Sequence, residues 1–189
     1  THHGCIDNLS QIPGMTVLTP ASFAELRRML HRAVLEEKGP VAVRYPRGGE
    51  CGYHGDCGGE SVTVFGGGAA AVVTYGILTG QALEAAELLK NEGISLRVVK
   101  LNQVAPLDGE GVGRALAGAS HIVAGEDQLR AGCVGERLAA VLAERGIPTR
   151  LLLRNVGDAL PPQGTVSQLW QSLGLDAQGI AQAVREVLA

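Results

Sequence analysis

From Ala70 to the last residue, short apolar runs alternate regularly with stretches of helical apolar spacing, and this alternation restricts the fold more than any other feature of the sequence. Ala70–Tyr75 is a β-rich run, after which Leu78, Ala82, Ala85 and Leu89 form the buried stripe of a helix closed by Gly93. Leu96–Leu101 reads as the next strand, Gly111–Ala117 as a short helix and His121–Ala124 as a strand. Val134, Leu138, Val141 and Leu142 mark another helix, and Thr149–Leu153 a further strand. Ile180, Ala183, Val184, Val187 and Leu188 give the apolar face of a last helix. Strands that alternate with helices pair in parallel, because each crossover returns the chain to the same edge of the sheet, and helices then cover both faces. The expected class is therefore α/β, a mostly parallel sheet with helices on both faces. Such folds bind ligands at the loops beyond one edge of the sheet.

The first part of the chain is shorter and less complete. Thr16–Thr19 predicts a strand ended by Pro20, and Ser22-Phe23-Ala24-Glu25 has the form of a capping box. Leu26, Met29, Leu30, Ala33 and Val34 predict an amphipathic helix to about Glu37, stopped by Gly39-Pro40. Val41–Tyr45 is a strand closed by Pro46. This is one βαβ-like unit with no complete domain around it, so part of a second α/β domain is expected to precede the larger one. Between them Gly48, Gly49, Gly52, Gly55, Gly58, Gly59, Gly66, Gly67 and Gly68 interrupt any periodicity. That stretch reads as a linker followed by a small hairpin around Ser61–Phe65.

Composition narrows the function. Aromatic residues are 3% and glycines number 27 among 189 residues, so the core is built from Ala, Val, Leu and Ile in tightly packed layers. A coiled coil, a disulfide miniprotein and an aromatic platform for single strands are excluded. With 16 Lys+Arg against 19 Asp+Glu, 16 − 19 = −3, no basic field attracts nucleic acid or an anionic membrane. No apolar run has the length of a membrane span and no leader opens the chain, so a cytoplasmic location is expected. The four cysteines form no CxxC pair, which fits free thiols in a reducing compartment.

Four groups of residues could carry chemistry. Arg44-Tyr45-Pro46-Arg47-Gly48 follows a strand, with Pro46 fixing the direction of Arg47. A guanidinium so placed either grips a phosphate or carboxylate in two-pronged fashion or pairs with a surface acid. His2 and His3 either shuttle protons near a carbonyl or belong to a free terminal segment. Cys51, His54 and Cys57 read as a metal clip or as separate side chains, at a spacing that fits none of the usual zinc patterns. Gly125-Glu126-Asp127 with Gly132 and Gly135 superficially suggests a nucleotide loop, but GxGxxG is missing. Glu126 and Asp127 are expected to be structural or interfacial. The chain also holds no GxxxxGK[ST], GxSxG or HExxH sequence.

Read in order, Thr1-His2-His3-Gly4 with Asp7, Ile12-Pro13-Gly14-Met15, Thr19-Pro20-Ala21-Ser22 and the run from Gly39 through Arg44-Tyr45-Pro46-Arg47-Gly48 form a pattern. Val104-Ala105-Pro106-Leu107-Asp108, Pro162-Gln163-Gly164 and Leu173-Gly174-Leu175-Asp176-Ala177 extend it to the end of the chain. The pattern resembles the C-terminal portion of the 1-deoxy-D-xylulose-5-phosphate synthase family, thiamine-diphosphate enzymes of the transketolase superfamily. The resemblance implies that residues 1–50 are the C-terminal part of a pyrimidine-binding domain, 51–60 a Gly-rich linker and 61–189 a transketolase C-terminal domain.

The same resemblance implies an activity: condensation of pyruvate with glyceraldehyde 3-phosphate with loss of CO2, in a complete enzyme that uses thiamine diphosphate and Mg²⁺ and is a homodimer. His2 matches the family's active-site histidine near the reacting carbonyl, and Arg47 matches the arginine that holds the acceptor's phosphate. His3 receives no role. The family's GDG…N motif for Mg²⁺ and diphosphate has no counterpart here, and its pyrimidine-activating Glu lies upstream of the matched region. No residue of this chain is therefore expected to bind the cofactor or a metal, and the chain alone is expected to be inactive. Glu126-Asp127-Gln128 departs from the family's acidic pair followed by Asn. Two alternatives remain: the smaller subunit of a split transketolase or a 2-oxoacid dehydrogenase beta subunit, and a non-catalytic interaction domain.

Overall fold

The computed structural model describes residues 5–189. A short helix α1 (Cys5–Ser10) leads to strand β1 (Thr16–Leu18), helix α2 (Phe23–Leu35) and strand β2 (Val41–Val43). There follow β3 (Val62–Gly66), β4 (Ala70–Tyr75), α3 (Leu78–Lys90), β5 (Leu96–Leu101), β6 (Gln103–Ala105), α4 (Gly109–Ala115) and β7 (His121–Gly125). Helix α5 (Val134–Glu144), β8 (Arg150–Arg154), α6 (Val166–Leu173) and α7 (Ala177–Leu188) complete the chain.

The larger sheet has the order β3-β5-β4-β7-β8, parallel throughout except for the antiparallel edge strand β3. Every residue of β4 is buried, because its side chains alternate between two covered faces. Ala70 and Val72 pack with Val98 and Val123 under α3 and α7, where Ala82, Ala85, Ile180 and Val184 keep the helices close. Ala71, Val73 and Tyr75 face the other way, toward Val112 of α4, Leu138 of α5 and Val17 of β1. This is the α/β architecture that the alternation predicts.

Three local features depart from or add to the sequence reading. Ser61–Phe65 does not form a hairpin: β3 pairs with β5, since both edges of β4 are already taken by β5 and β7. The chain can cross from β3 to β4 over the start of β5 because Gly66 and Gly68 have positive φ. A Cβ on either would lie 2.8 Å from the Leu96 carbonyl oxygen or 2.2 Å from that of Ser95. Second, β5 is followed after one residue, Asn102, by β6, which leaves the large sheet and pairs antiparallel with β1. The small sheet thus has the order β2-β1-β6 and shares its core with the larger one. Third, the apolar stripe of α2 is not wholly covered: Met29 is buried, but Phe23, Leu30, Val34 and Leu35 are exposed, Val34 by 76%.

Candidate active site

The start of α2 is built from its own sequence and then fastened by distant residues. The Ser22 hydroxyl accepts the Glu25 N–H at 3.1 Å, as a capping box requires, but the Glu25 carboxylate reaches back to the N–H of Ala21 at 2.8 Å. Glu25 is fully buried. Its other oxygen meets Lys100 Nζ of β5 at 2.9 Å and accepts the Tyr53 hydroxyl at 3.1 Å. Lys100 is itself fully buried, lies 5.6 Å from the Tyr53 ring centre and bonds to Asn102. Burial lowers the Lys100 pKa, and the Glu25 charge opposes that shift. Burial pushes the Tyr53 hydroxyl well above its ordinary value, with the neighbouring Glu25 charge adding to it. A lone Lys in the otherwise apolar end of the run Leu96–Leu101 is the signal that could have announced a buried acid.

The glycine-rich segment after β2 is seated on α2 as a strap. The Ser22 hydroxyl donates to the Gly55 carbonyl at 2.5 Å, Arg28 and Asp56 form a two-pronged ion pair, and Cys57 is buried against Leu18 and Met29. At its start the strap crosses the first turn of α3, where a Cβ on Gly80 would lie 1.5 Å from the Cys51 carbonyl oxygen. Cys51, His54 and Cys57 consequently go to three environments: Cys51 packs beside Leu78 and Trp170, His54 meets Glu50, and Cys57 enters the α2 core.

Beyond the strap's start lies a cavity of about 340 Å³, walled by Phe23, Leu26, Tyr45 and Ile77 and holding Arg47 and Glu50. Arg47 is exposed, and among the described residues nothing pairs with its guanidinium. Its neighbour in the motif behaves differently. Arg44 pairs with Asp127 at 2.8 Å and lies 5.8 Å from the centre of the Tyr75 ring. The two arginines of one pentapeptide are thereby divided between a structural and an available role. His2 and His3 lie outside the described residues.

The loop after β7 holds its own carboxylate. Glu126 is buried, accepts the Tyr75 hydroxyl at 2.9 Å, and takes the N–H groups of Val134 at 3.0 Å and Gly135 at 2.8 Å. These amides at the start of α5 are the ones a phosphate would use in a nucleotide loop, and Glu126 occupies them. Asp127 serves Arg44, and Gln128 is buried. The expected structural character of Glu126 and Asp127 agrees with these contacts.

The family model for the transketolase C-terminal domain matches residues 59–180. The chain belongs to the transketolase C-terminal domain family. Over its whole length this transketolase-family chain is similar to 1-deoxy-D-xylulose-5-phosphate synthases. It is 37% identical to that of Chlorobium phaeovibrioides over 98% of this chain and 30% of the relative. Against synthase 1 of Geobacter sulfurreducens the identity is 36%, over 100% of this chain and 31% of the relative. It therefore spans about a third of the length of these curated relatives. Among solved structures, a split gene transketolase described as an inactive beta4 tetramer superposes with a TM-score of 0.81 at 28% identity, covering 98% of this chain and 61% of that one.

Proposed function

We propose that this chain is the C-terminal portion of a 1-deoxy-D-xylulose-5-phosphate synthase, the enzyme that joins pyruvate to glyceraldehyde 3-phosphate with loss of CO2. In that reading residues 1–50 end the pyrimidine-binding domain, 51–60 connect, and 61–189 form the C-terminal domain of a cytoplasmic homodimer. No helix among the described residues is long and apolar enough to cross a membrane. The observation that carries the proposal is the unpaired Arg47 guanidinium in a cavity of substrate size, on a chain similar to these synthases from end to end.

Arg47 supplies two parallel N–H donors to the phosphate of the acceptor, and the apolar walls at Phe23, Leu26 and Ile77 lie along the carbon chain. In this reading His2 is the residue that moves a proton at the reacting carbonyl. Thiamine diphosphate supplies the carbanion chemistry when bound in the complete enzyme. The described residues gather no group of three or more acids, thiols and histidines for Mg²⁺. Ser22, Asp108, Glu126, Thr165 and Asp176 occupy the starts of α2, α4, α5, α6 and α7, whereas the start of α3 carries no side-chain cap.

A turnover assay with pyruvate, glyceraldehyde 3-phosphate, thiamine diphosphate and Mg²⁺ tests this. No turnover is expected from the chain alone, and turnover is expected when a separately produced N-terminal portion of a relative is added. In that mixture Arg47→Ala raises the KM for glyceraldehyde 3-phosphate about tenfold or more, the loss of one charge-assisted phosphate contact. Activity of the chain alone would overturn the proposal. A second reading, the smaller subunit of a split transketolase, is favoured by the close superposition on the split gene transketolase. It predicts a self-assembled, inactive oligomer by light scattering and activity with a split-gene partner.

A further inference from the structure

The cavity that contains Arg47 also contains a tethered negative charge. Glu50 follows Arg47 by three positions and lines the same space. One of its carboxylate oxygens accepts the N–H of Phe23 in the first turn of α2, and the other meets Nδ1 of His54 at 2.5 Å. The side chain is only 18% exposed. These two hydrogen bonds, the backbone one foremost, hold the Glu50 carboxyl below the usual carboxylate range, so it is ionised at neutral pH. With both oxygens engaged, Glu50 cannot turn to Arg47 without giving up the Phe23 and His54 contacts. The cavity consequently offers one available cation and one fixed anion.

We propose that Glu50 is a specificity-determining residue: the cavity accepts a monophosphate ester whose remainder is uncharged and rejects phosphorylated carboxylates. The proposal rests on the assignment of Arg47 as the phosphate holder. A sphere of the cavity's volume is about 9 Å across, so a second negative charge on a ligand anchored at Arg47 falls within Coulomb range of the carboxylate. In a half-open site, repulsion at that range corresponds to a loss of affinity of about five- to tenfold. An aldehyde or hydroxyl brings no such charge, and a hydroxyl can donate to the carboxylate.

Titration of the full chain, followed through the backbone amides of Phe23 and Gly48 by NMR, tests this with inorganic phosphate, glyceraldehyde 3-phosphate and 3-phosphoglycerate as probes. The wild type is expected to bind the aldehyde about fivefold or more tightly than the acid. Glu50→Gln keeps an oxygen for the Phe23 N–H but removes the charge, and the ratio should fall to near one, chiefly through tighter binding of 3-phosphoglycerate. Glu50→Ser serves as a second variant should the amide disturb the fold, with circular dichroism as the check. If the ratio is the same in wild type and both variants while Arg47→Ala weakens both esters, the proposal is overturned and the Arg47 assignment stands. If Arg47→Ala binds all three probes as the wild type does, or the wild type binds none, the Arg47 assignment falls and this proposal with it.

Discussion

In the large sheet all six residues of β4 are buried; in the small sheet β2 is half-buried at all three positions, and α2 beside it exposes Phe23, Leu30, Val34 and Leu35. The two regions use similar residue types and differ in what holds them. Around β4, helices on both faces exclude water, and apolar burial supplies the stability. At the start of α2, charged and polar groups supply the order: Glu25 with Lys100, Ser22 with Gly55, Arg28 with Asp56 and Glu50 with Phe23. The candidate cavity lies at this stitched end. Its geometry is therefore set by hydrogen bonds from distant segments rather than by close packing of one core.

The largest expected effect separates these two modes directly. Glu25→Gln leaves the buried Lys100 without its counter-charge and should cost about 3–5 kcal/mol in urea unfolding. Glu25→Gln combined with Lys100→Met should recover much of that loss, because no unpaired charge remains buried. A single-variant cost no greater than that of a surface substitution would break the contrast between a packed and a stitched region.

Side-chain truncation sharpens the contrast from the apolar side. Leu138→Ala in α5, whose side chain is fully buried in the large core, should lose about 2–5 kcal/mol. Val34→Ala on the exposed face of α2 should change stability by less than about 0.5 kcal/mol. Equal losses in the two variants would mean that the α2 face is covered in solution.

A further effect is in alkaline solution. Burial pushes the Cys133 thiol up to about 11, and it holds the Tyr75 and Tyr53 hydroxyls well above their ordinary values. As pH rises through the ordinary thiol and phenol range, the unfolded chain releases protons that the folded chain retains, so stability falls. Lys100, whose pKa is lowered, works in the opposite direction over the same range. The urea midpoint should decline between about pH 9 and 10, and less steeply in Cys133→Ala. An unchanged slope in that variant would remove Cys133 from the account.

Much of the large sheet is legible in the sequence because its signals are local. Ala70–Tyr75 and Leu96–Leu101 coincide with β4 and β5, since largely apolar runs of that length fit a strand buried on both faces. Helix α6 escapes a reading based on apolar runs, although Thr165 and Gln168 form a capping box, a signature that stands in the sequence. Strand β6 is three residues long and followed by Pro106, too short for any periodicity to register. Of the site, the motif around Arg47 can be read, and its stiff Pro46 explains why. Glu50, Tyr53 and Lys100 cannot, because each acquires its role from a residue far along the chain.

By itself the sequence determined the α/β class, the order of the principal strands and helices, and the Pro-stiffened turn that carries Arg47 beyond a strand. Those features depend on residue periodicity, turn chemistry and a rigid proline, all of which act over a few neighbouring positions. Tertiary structure alone decided that β6 leaves one sheet for the other, that the glycine-rich segment clasps α2, and that Glu25 and Lys100 share a dry interior. These outcomes rest on strand pairing and charge burial between distant segments. Their energies depend on the surroundings each group meets after folding, which no local pattern encodes.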